Sequence, residues 1–192
     1  MLKKESVIDS LKDQNIKEFN GILIQELPFV EKINLRFDPN NKEYISLCGK
    51  ILDIILPTQP NTYSKNRDIK ALWLGPDEWL LVNESENYLF PELENKFNNF
   101  DIGITDVSEN RTIIRIKGEK IYKLLSKFLT LDLDKNLCNE SKCAQTLFVK
   151  IQTLIVRNNN VNEIPEIDLF INRSHAEYIY DLIVDGTRNL DF

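Results

Sequence analysis

Ala71-Leu72-Trp73-Leu74-Gly75-Pro76-Asp77-Glu78-Trp79-Leu80-Leu81-Val82 places two apolar runs on either side of four turn formers. Each run is too short for a helix, and Gly75-Pro76-Asp77-Glu78 reverses the chain, so the stretch reads as a β-hairpin. Upstream, Ile33, Leu35 and Phe37 alternate with polar residues, the period of a half-buried strand. Tyr44, Cys48, Ile51, Leu52 and Ile55 then recur at helical spacing, and Pro57 and Pro60 end that run. Downstream, Tyr88, Leu89, Leu93 and Phe97 mark a short helix, with Pro91 in its first turn.

The second half repeats this order. Strands are expected at Gly21–Leu27, Thr112–Ile116, Ala144–Val149, Leu154–Arg157 and Ile167–Ile171, and a helix at 121–128. A last helix opens at Ser174, whose spacing to Glu177 is that of a capping box, and stops at Gly186. Ile33 and Ile113 lie 80 positions apart, and the helix starts at Asn41 and Glu119 lie 78 apart. The expected fold is α+β, two similar β-α-β-β-α halves with largely antiparallel sheets. Residues 1–20 are polar, with one turn of helix around Val7 to Leu11, and read as an N-terminal arm. Residues 21–192 read as a single duplicated domain.

Composition narrows the function. The 192 residues are 42% hydrophobic and 28% charged, enough to fold without a disulfide or metal. The net charge is −6 and no basic run exists, which argues against a nucleic-acid partner or a membrane surface. The three cysteines, Cys48, Cys138 and Cys143, are an odd count, and the start Met1-Leu2-Lys3-Lys4-Glu5 lacks the apolar core of a signal peptide. The expected compartment is cytoplasmic.

The motifs of catalysis are missing. The six glycines are never closer than fifteen positions, so neither a dinucleotide fingerprint nor a phosphate loop can form. No cofactor-binding, metal or catalytic residue is expected in this chain. His175 is the only histidine, and Cys138 and Cys143, with Glu140 between them, do not complete a zinc set. Cys48 sits on the apolar helix face and reads as core. Asp106-Val107-Ser108-Glu109-Asn110-Arg111 forms a turn between strands, where Arg111 either pairs with Asp106 or reaches a partner's carboxylate. Trp73 and Trp79 flank the hairpin turn and read as core, with Trp79 the better candidate for a subunit interface.

Several stretches resemble the small γ subunit of heterotetrameric sarcosine oxidase. They are Ile33-Asn34-Leu35-Arg36, Leu56-Pro57-Thr58-Gln59-Pro60-Asn61-Thr62, the tryptophan hairpin, Asp106-Val107-Ser108 with Arg111, Lys142-Cys143-Ala144-Gln145-Thr146-Leu147, and Arg173-Ser174. They fall in the family's order across residues 30 to 185, and the hairpin is the most specific. The sequence departs from that pattern at Phe128 and Leu129 and at His175. The resemblance implies a fold like the folate-binding domain of aminomethyltransferases. It implies a non-catalytic subunit beside α, β and δ subunits, packed chiefly on α. That complex oxidatively demethylates sarcosine to glycine with oxygen and tetrahydrofolate, giving hydrogen peroxide and methylenetetrahydrofolate. Its FAD, FMN, NAD, zinc and tetrahydrofolate belong to the other subunits. The residues expected at an interface are Trp79, Arg111, Arg173 and His175. The competing readings are a stand-alone folate-binding aminomethyl transferase and an assembly factor on the same fold.

Overall fold

A computed structural model describes residues 5–8, 11, 16–138 and 141–190. The chain divides into two units, residues 1–29 with 109–192 and residues 30–108, each with its own apolar core. The chain leaves the first unit, completes the second, and returns.

The second unit runs β3 (Glu31–Arg36), α1 (Lys42–Leu52), β4 (Tyr63–Asn66), β5 (Ile69–Gly75), β6 (Glu78–Asn83), α2 (Phe90–Phe97) and β7 (Gly103–Asp106). Its five-stranded sheet has the order β4-β5-β6-β3-β7, and every neighbouring pair is antiparallel. The β5–β6 hairpin closes on Gly75 opposite Glu78, with Trp73 facing Trp79. Ile33, Leu35, Ala71, Trp79 and Leu81 fall on one sheet face by strand alternation, and Cys48, Leu52, Leu93 and Phe97 from the helices join them in the core. Phe37 stacks on the Trp79 ring at 4.8 Å.

Asn41 caps α1, its side chain accepting from the Glu43 and Tyr44 amides. The helix is shorter than the periodicity implies. Asp53 adopts a left-handed conformation (φ 52°), and the Ile54 amide turns back to the Gly49 carbonyl. Ile55, expected on the buried face, is therefore 87% exposed, while Ile54 and Leu56 are buried in its place.

The first unit holds β1 (Ile16–Phe19), β2 (Ile22–Leu27), β8 (Arg111–Lys117), α3 (Ile121–Leu125), α4 (Leu133–Asn136), β9 (Cys143–Phe148), β10 (Ile151–Arg157), β11 (Glu166–Asn172) and α5 (Ala176–Gly186). Its six strands are ordered β1-β2-β8-β11-β10-β9, again antiparallel throughout. Ile24, Ile114, Ile116, Ile167 and Leu169 meet Leu124 and Leu125 of α3 and Ile179 and Ile183 of α5.

The duplicated α+β arrangement stands, with β4 as a strand not expected in the first repeat. The first repeat reads strand, helix, three strands, helix, the second adds the short α4 after its first helix, and in both the first strand pairs with the last: β3 with β6, β8 with β11. The offset between repeats is 81 rather than 80, since Ile33 and Leu35 share their core-facing role with Ile114 and Ile116. A single-residue slip moves a side chain to the other face of a sheet, and Ile113 accordingly lies on the face opposite the first core.

Three further expectations change. Residues 16–20 are not an arm, because Asn20 (φ 50°) and Gly21 (φ 76°) make a two-residue turn that pairs β1 with β2. Of the helical turn expected at Val7–Leu11, residues 9 and 10 lie outside the described residues, while Ile8 and Leu11 are buried in the first core. Ser174 does not cap α5, for Arg173–His175 form a 3-10 turn and the helix starts at Ala176 without a side-chain cap. Gly186 does not stop that helix by a left-handed turn either. It is helical, and an added Cβ would lie 2.8 Å from both Leu124 Cδ1 and the Phe128 ring, so those side chains would have to shift.

Gly118 is constrained more severely. A Cβ there would lie 2.7 Å from the Gly21 carbonyl oxygen, a backbone atom that cannot swing aside. Gly118→Ala is expected to destabilise the chain by about 1–3 kcal/mol. Chemical denaturation compared with the wild type measures this, and an unchanged midpoint would show that the β1–β2 turn yields freely.

Candidate interaction surface

Three of the four residues expected at an interface gather at one end of the β8–β11 ladder in the first unit. Arg111 pairs in register with Asn172, and the Arg173 amide donates to the Asn110 carbonyl at 3.2 Å. The Arg173 guanidinium lies 3.3 Å from the Glu109 carboxylate and also donates to the Glu5 carbonyl. Arg173 thus ties the N-terminal segment and the β7–β8 turn to the start of α5. His175 is exposed, with Nδ1 3.2 Å from the Ser174 hydroxyl.

Arg111 lines an open depression of about 280 Å³ with Gln145, Leu147, Gln152, Thr153 and Leu154. Leu147 on β9 is 50% exposed beside it. The lining thus mixes a guanidinium with amides, a hydroxyl and aliphatic carbons.

Trp79 does not belong to this group, and the interface role expected of it is corrected. It is fully buried in the second unit, and its indole N–H donates to the Pro57 carbonyl at 2.8 Å. It packs the core and fixes the segment after α1. Asp106 closes the last turn of its own unit, its carboxylate accepting from the Ser108 amide and hydroxyl at 2.9 and 2.5 Å. The Ser108 hydroxyl in turn accepts from the Lys32 amide.

Two buried glutamates went unread in the sequence, because a carboxylate in a strand carries no signal of its burial. Glu31 in β3 accepts from the amides of Leu89 and Phe90 and from the Asn83 side chain. It supplies the cap that α2 lacks from its own residues. Glu26 in β2 accepts from Thr112 at 2.7 Å, from the Ser6 hydroxyl and from the amides of Val7 and Ile8, which holds the N-terminal segment on the first core. Glu31→Ala is expected to cost about 3 kcal/mol, since buried donors lose a charged acceptor. Thermal unfolding checks this, and a change within error would show that water replaces the carboxylate.

Two of the three thiols are packed inside the protein. Cys48 and Cys143 are buried and Cys138 is exposed, while Glu140 lies outside the described residues. Burial pushes the Cys48 thiol up to about 12, so it stays protonated at neutral pH. In the unfolded chain it ionises near its ordinary 9.0. Stability from this group is therefore complete below pH 9.0 and falls as pH rises toward 12, by about 1.4 kcal/mol per pH unit. Cys48→Ala should flatten that alkaline slope, although it weakens the core at every pH. Denaturation midpoints between pH 8 and 11 test it, and equal slopes in both proteins would remove the assignment.

Similarity to known proteins decides the family. The sarcosine oxidase gamma subunit family matches residues 38–189, most of the chain. The chain belongs to that family. Curated gamma subunits from Corynebacterium sp. (strain U-96) and Arthrobacter sp. are each 25% identical over 138 residues, which is 71% of this chain and 67–68% of theirs. Among solved structures, a chain of the heterotetrameric sarcosine oxidase from Corynebacterium sp. U-96, in complex with pyrrole 2-carboxylate, superposes with a TM-score of 0.82 at 18% identity. That likeness covers 100% of this chain and 98% of that one. The glycine cleavage system aminomethyltransferase T from Bartonella henselae gives 0.67 at 11% identity, covering 94% of this chain and 57% of its own. The aminomethyltransferase-like fold expected of the gamma family is therefore present. No helix among the described residues is long and apolar enough to cross a membrane.

Proposed function

We propose that this chain acts as a non-catalytic gamma subunit of a cytoplasmic, heterotetrameric sarcosine oxidase, packed chiefly on the α subunit. The complex oxidatively demethylates sarcosine to glycine with oxygen and tetrahydrofolate, yielding hydrogen peroxide and methylenetetrahydrofolate. FAD, FMN, NAD, zinc and tetrahydrofolate are held by the other subunits. The observation that carries this reading is the family match along residues 38–189. The placement of the reactive side chains supports it. The lone histidine is on the surface beside a serine, and the Cys48 thiol is held neutral in a core. Arg111, Arg173 and His175, grouped at one sheet end, are the residues proposed to face the partners.

The fold's likeness to aminomethyltransferase T favours one alternative, folate binding by this chain alone. Co-expression with the other three subunits, followed by purification through a tag on the α subunit, separates the two. The expected result is recovery of this chain in the complex, sarcosine-dependent peroxide formation by the complex, and neither turnover nor tetrahydrofolate heat from the isolated chain. Sarcosine turnover by the isolated chain, or full assembly and activity of the complex without it, would overturn the non-catalytic subunit reading. Calorimetric binding of tetrahydrofolate to the isolated chain would favour the alternative.

A further inference from the structure

The segment between β10 and β11, residues 158–165, is shaped by a buried cation. Arg157, the last residue of β10, is only 2% exposed. Its Nε donates to the Asn159 carbonyl at 3.0 Å, and Nη2 donates to the carbonyls of Asn160 at 2.8 Å and Glu163 at 3.4 Å. Nη1 donates to the Tyr122 hydroxyl at 2.6 Å, and that hydroxyl donates on to the Leu137 carbonyl at 2.9 Å. Burial raises the Tyr122 phenol above its ordinary value despite the nearby guanidinium, so the proton needed for that second bond is retained. Asn159 completes the frame. Its amide N–H donates to the Ile164 carbonyl at 2.7 Å, and its oxygen accepts from the Glu166 amide.

One guanidinium and one carboxamide thus bind four carbonyls of a surface loop. A buried guanidinium is costly, and a loop whose only task is to join two strands needs no such fixing. The loop exposes two aliphatic side chains among the polar Asn160, Asn162 and Glu163. Val161 is 62% exposed and Ile164 49% exposed. From Asn158 to Pro165 the one charged residue is Glu163, which is exposed. A rigid loop with aliphatic side chains turned to water has already met part of the ordering cost of binding.

We propose that this loop is a preformed contact for another subunit of the oxidase, whose surface offers an apolar socket for Val161 and Ile164 with a basic side chain facing Glu163. The charge of the loop selects the basic rim, and the exposed aliphatic carbons select the socket. Arg157 acts as a positioning residue that does not itself touch the partner. This inference rests on the gamma-subunit reading and adds to it the location and chemistry of one contact.

The test uses the full chain co-expressed with the other three subunits, with affinity measured by titrating labelled chain into the complex that lacks it. Val161→Asp and Ile164→Asp are expected to keep the unfolding temperature and circular dichroism of the wild type while weakening association at least tenfold. Glu163→Lys is expected to weaken it severalfold, with the loss shrinking as salt rises. Arg157→Lys keeps the charge but cannot reach the same carbonyls. It is expected to weaken association and to speed hydrogen exchange at residues 158–165. Wild-type association together with unchanged binding of both aspartate variants would overturn the loop contact and leave the gamma-subunit reading intact. Failure of the wild-type chain to join would remove both. A dimer of the isolated chain that the aspartate variants dissolve would show a second copy as the occupant, and would overturn the proposal.

Discussion

The pairing of β8 with β11 is the constraint on which the first unit depends. Seven consecutive residues lock in register, from Arg111 opposite Asn172 to Lys117 opposite Glu166. That register places Ile114 against Leu169 and Ile116 against Ile167, so one sheet face becomes continuous aliphatic surface. The helices α3 and α5 close over that face, and Gly186 lets α5 approach α3. The intervening β9 and β10 then add as an antiparallel pair beyond β11. The partners of the central pairing are about fifty to sixty residues apart along the chain, so the loop-closure entropy is met only when the whole repeat assembles. The same closure recurs in the second unit, where β3 pairs with β6 over six residues.

Polar burial follows from that closure. Both sheets carry charged side chains inward at places where helices or terminal segments begin or loops turn. Glu31 meets the free amides at the start of α2, Glu26 those of the N-terminal segment, and Arg157 the carbonyls after β10. Each is an ion held by backbone dipoles, and such bonds are stronger than those between neutral groups. Aliphatic packing fixes the sheets, whereas these three ions fix what connects to them.

This division explains what could be read from sequence. The hairpin at Ala71–Val82 is legible because two short apolar runs and a proline-containing turn agree. β4 and β7 are not, because Tyr63-Ser64-Lys65-Asn66 and Gly103-Ile104-Thr105-Asp106 are short edge strands with one large apolar residue each. β1 was legible in principle, since Asn20-Gly21 is a strong turn signal, but the polar Ile16–Phe19 strand pairs only at the sheet edge. The periodicity of α1 continues through Ile55, yet Asp53 breaks the helix by its left-handed conformation, which apolar spacing does not encode. The repeat was visible as architecture, while its offset of 81 needed the register of the sheet. At the candidate surface, Arg111 is read from its turn and Arg173 and His175 from the family resemblance, whereas Trp79 is misplaced because tryptophan serves cores and interfaces alike.

A subunit of a larger complex must be specified by its surface, and a surface is specific only if its loops hold one shape. The tryptophan hairpin illustrates the link. Trp79 is buried, yet its indole N–H fixes the Pro57 carbonyl, while Ser64 and Asn66 fix the carbonyls of Ile55 and Asp53. The exposed Ile55 therefore stands on a backbone as constrained as that of the 158–165 loop. In both units, side chains rooted in the sheet reach outward to set the course of a connecting segment. This is why the most specific sequence resemblance can fall on a residue that faces the interior. Loss of the Trp79 side chain would remove core volume and, through one hydrogen bond, the geometry of a surface segment. Core and interface are in this sense one requirement, and a family that shares binding partners would retain both.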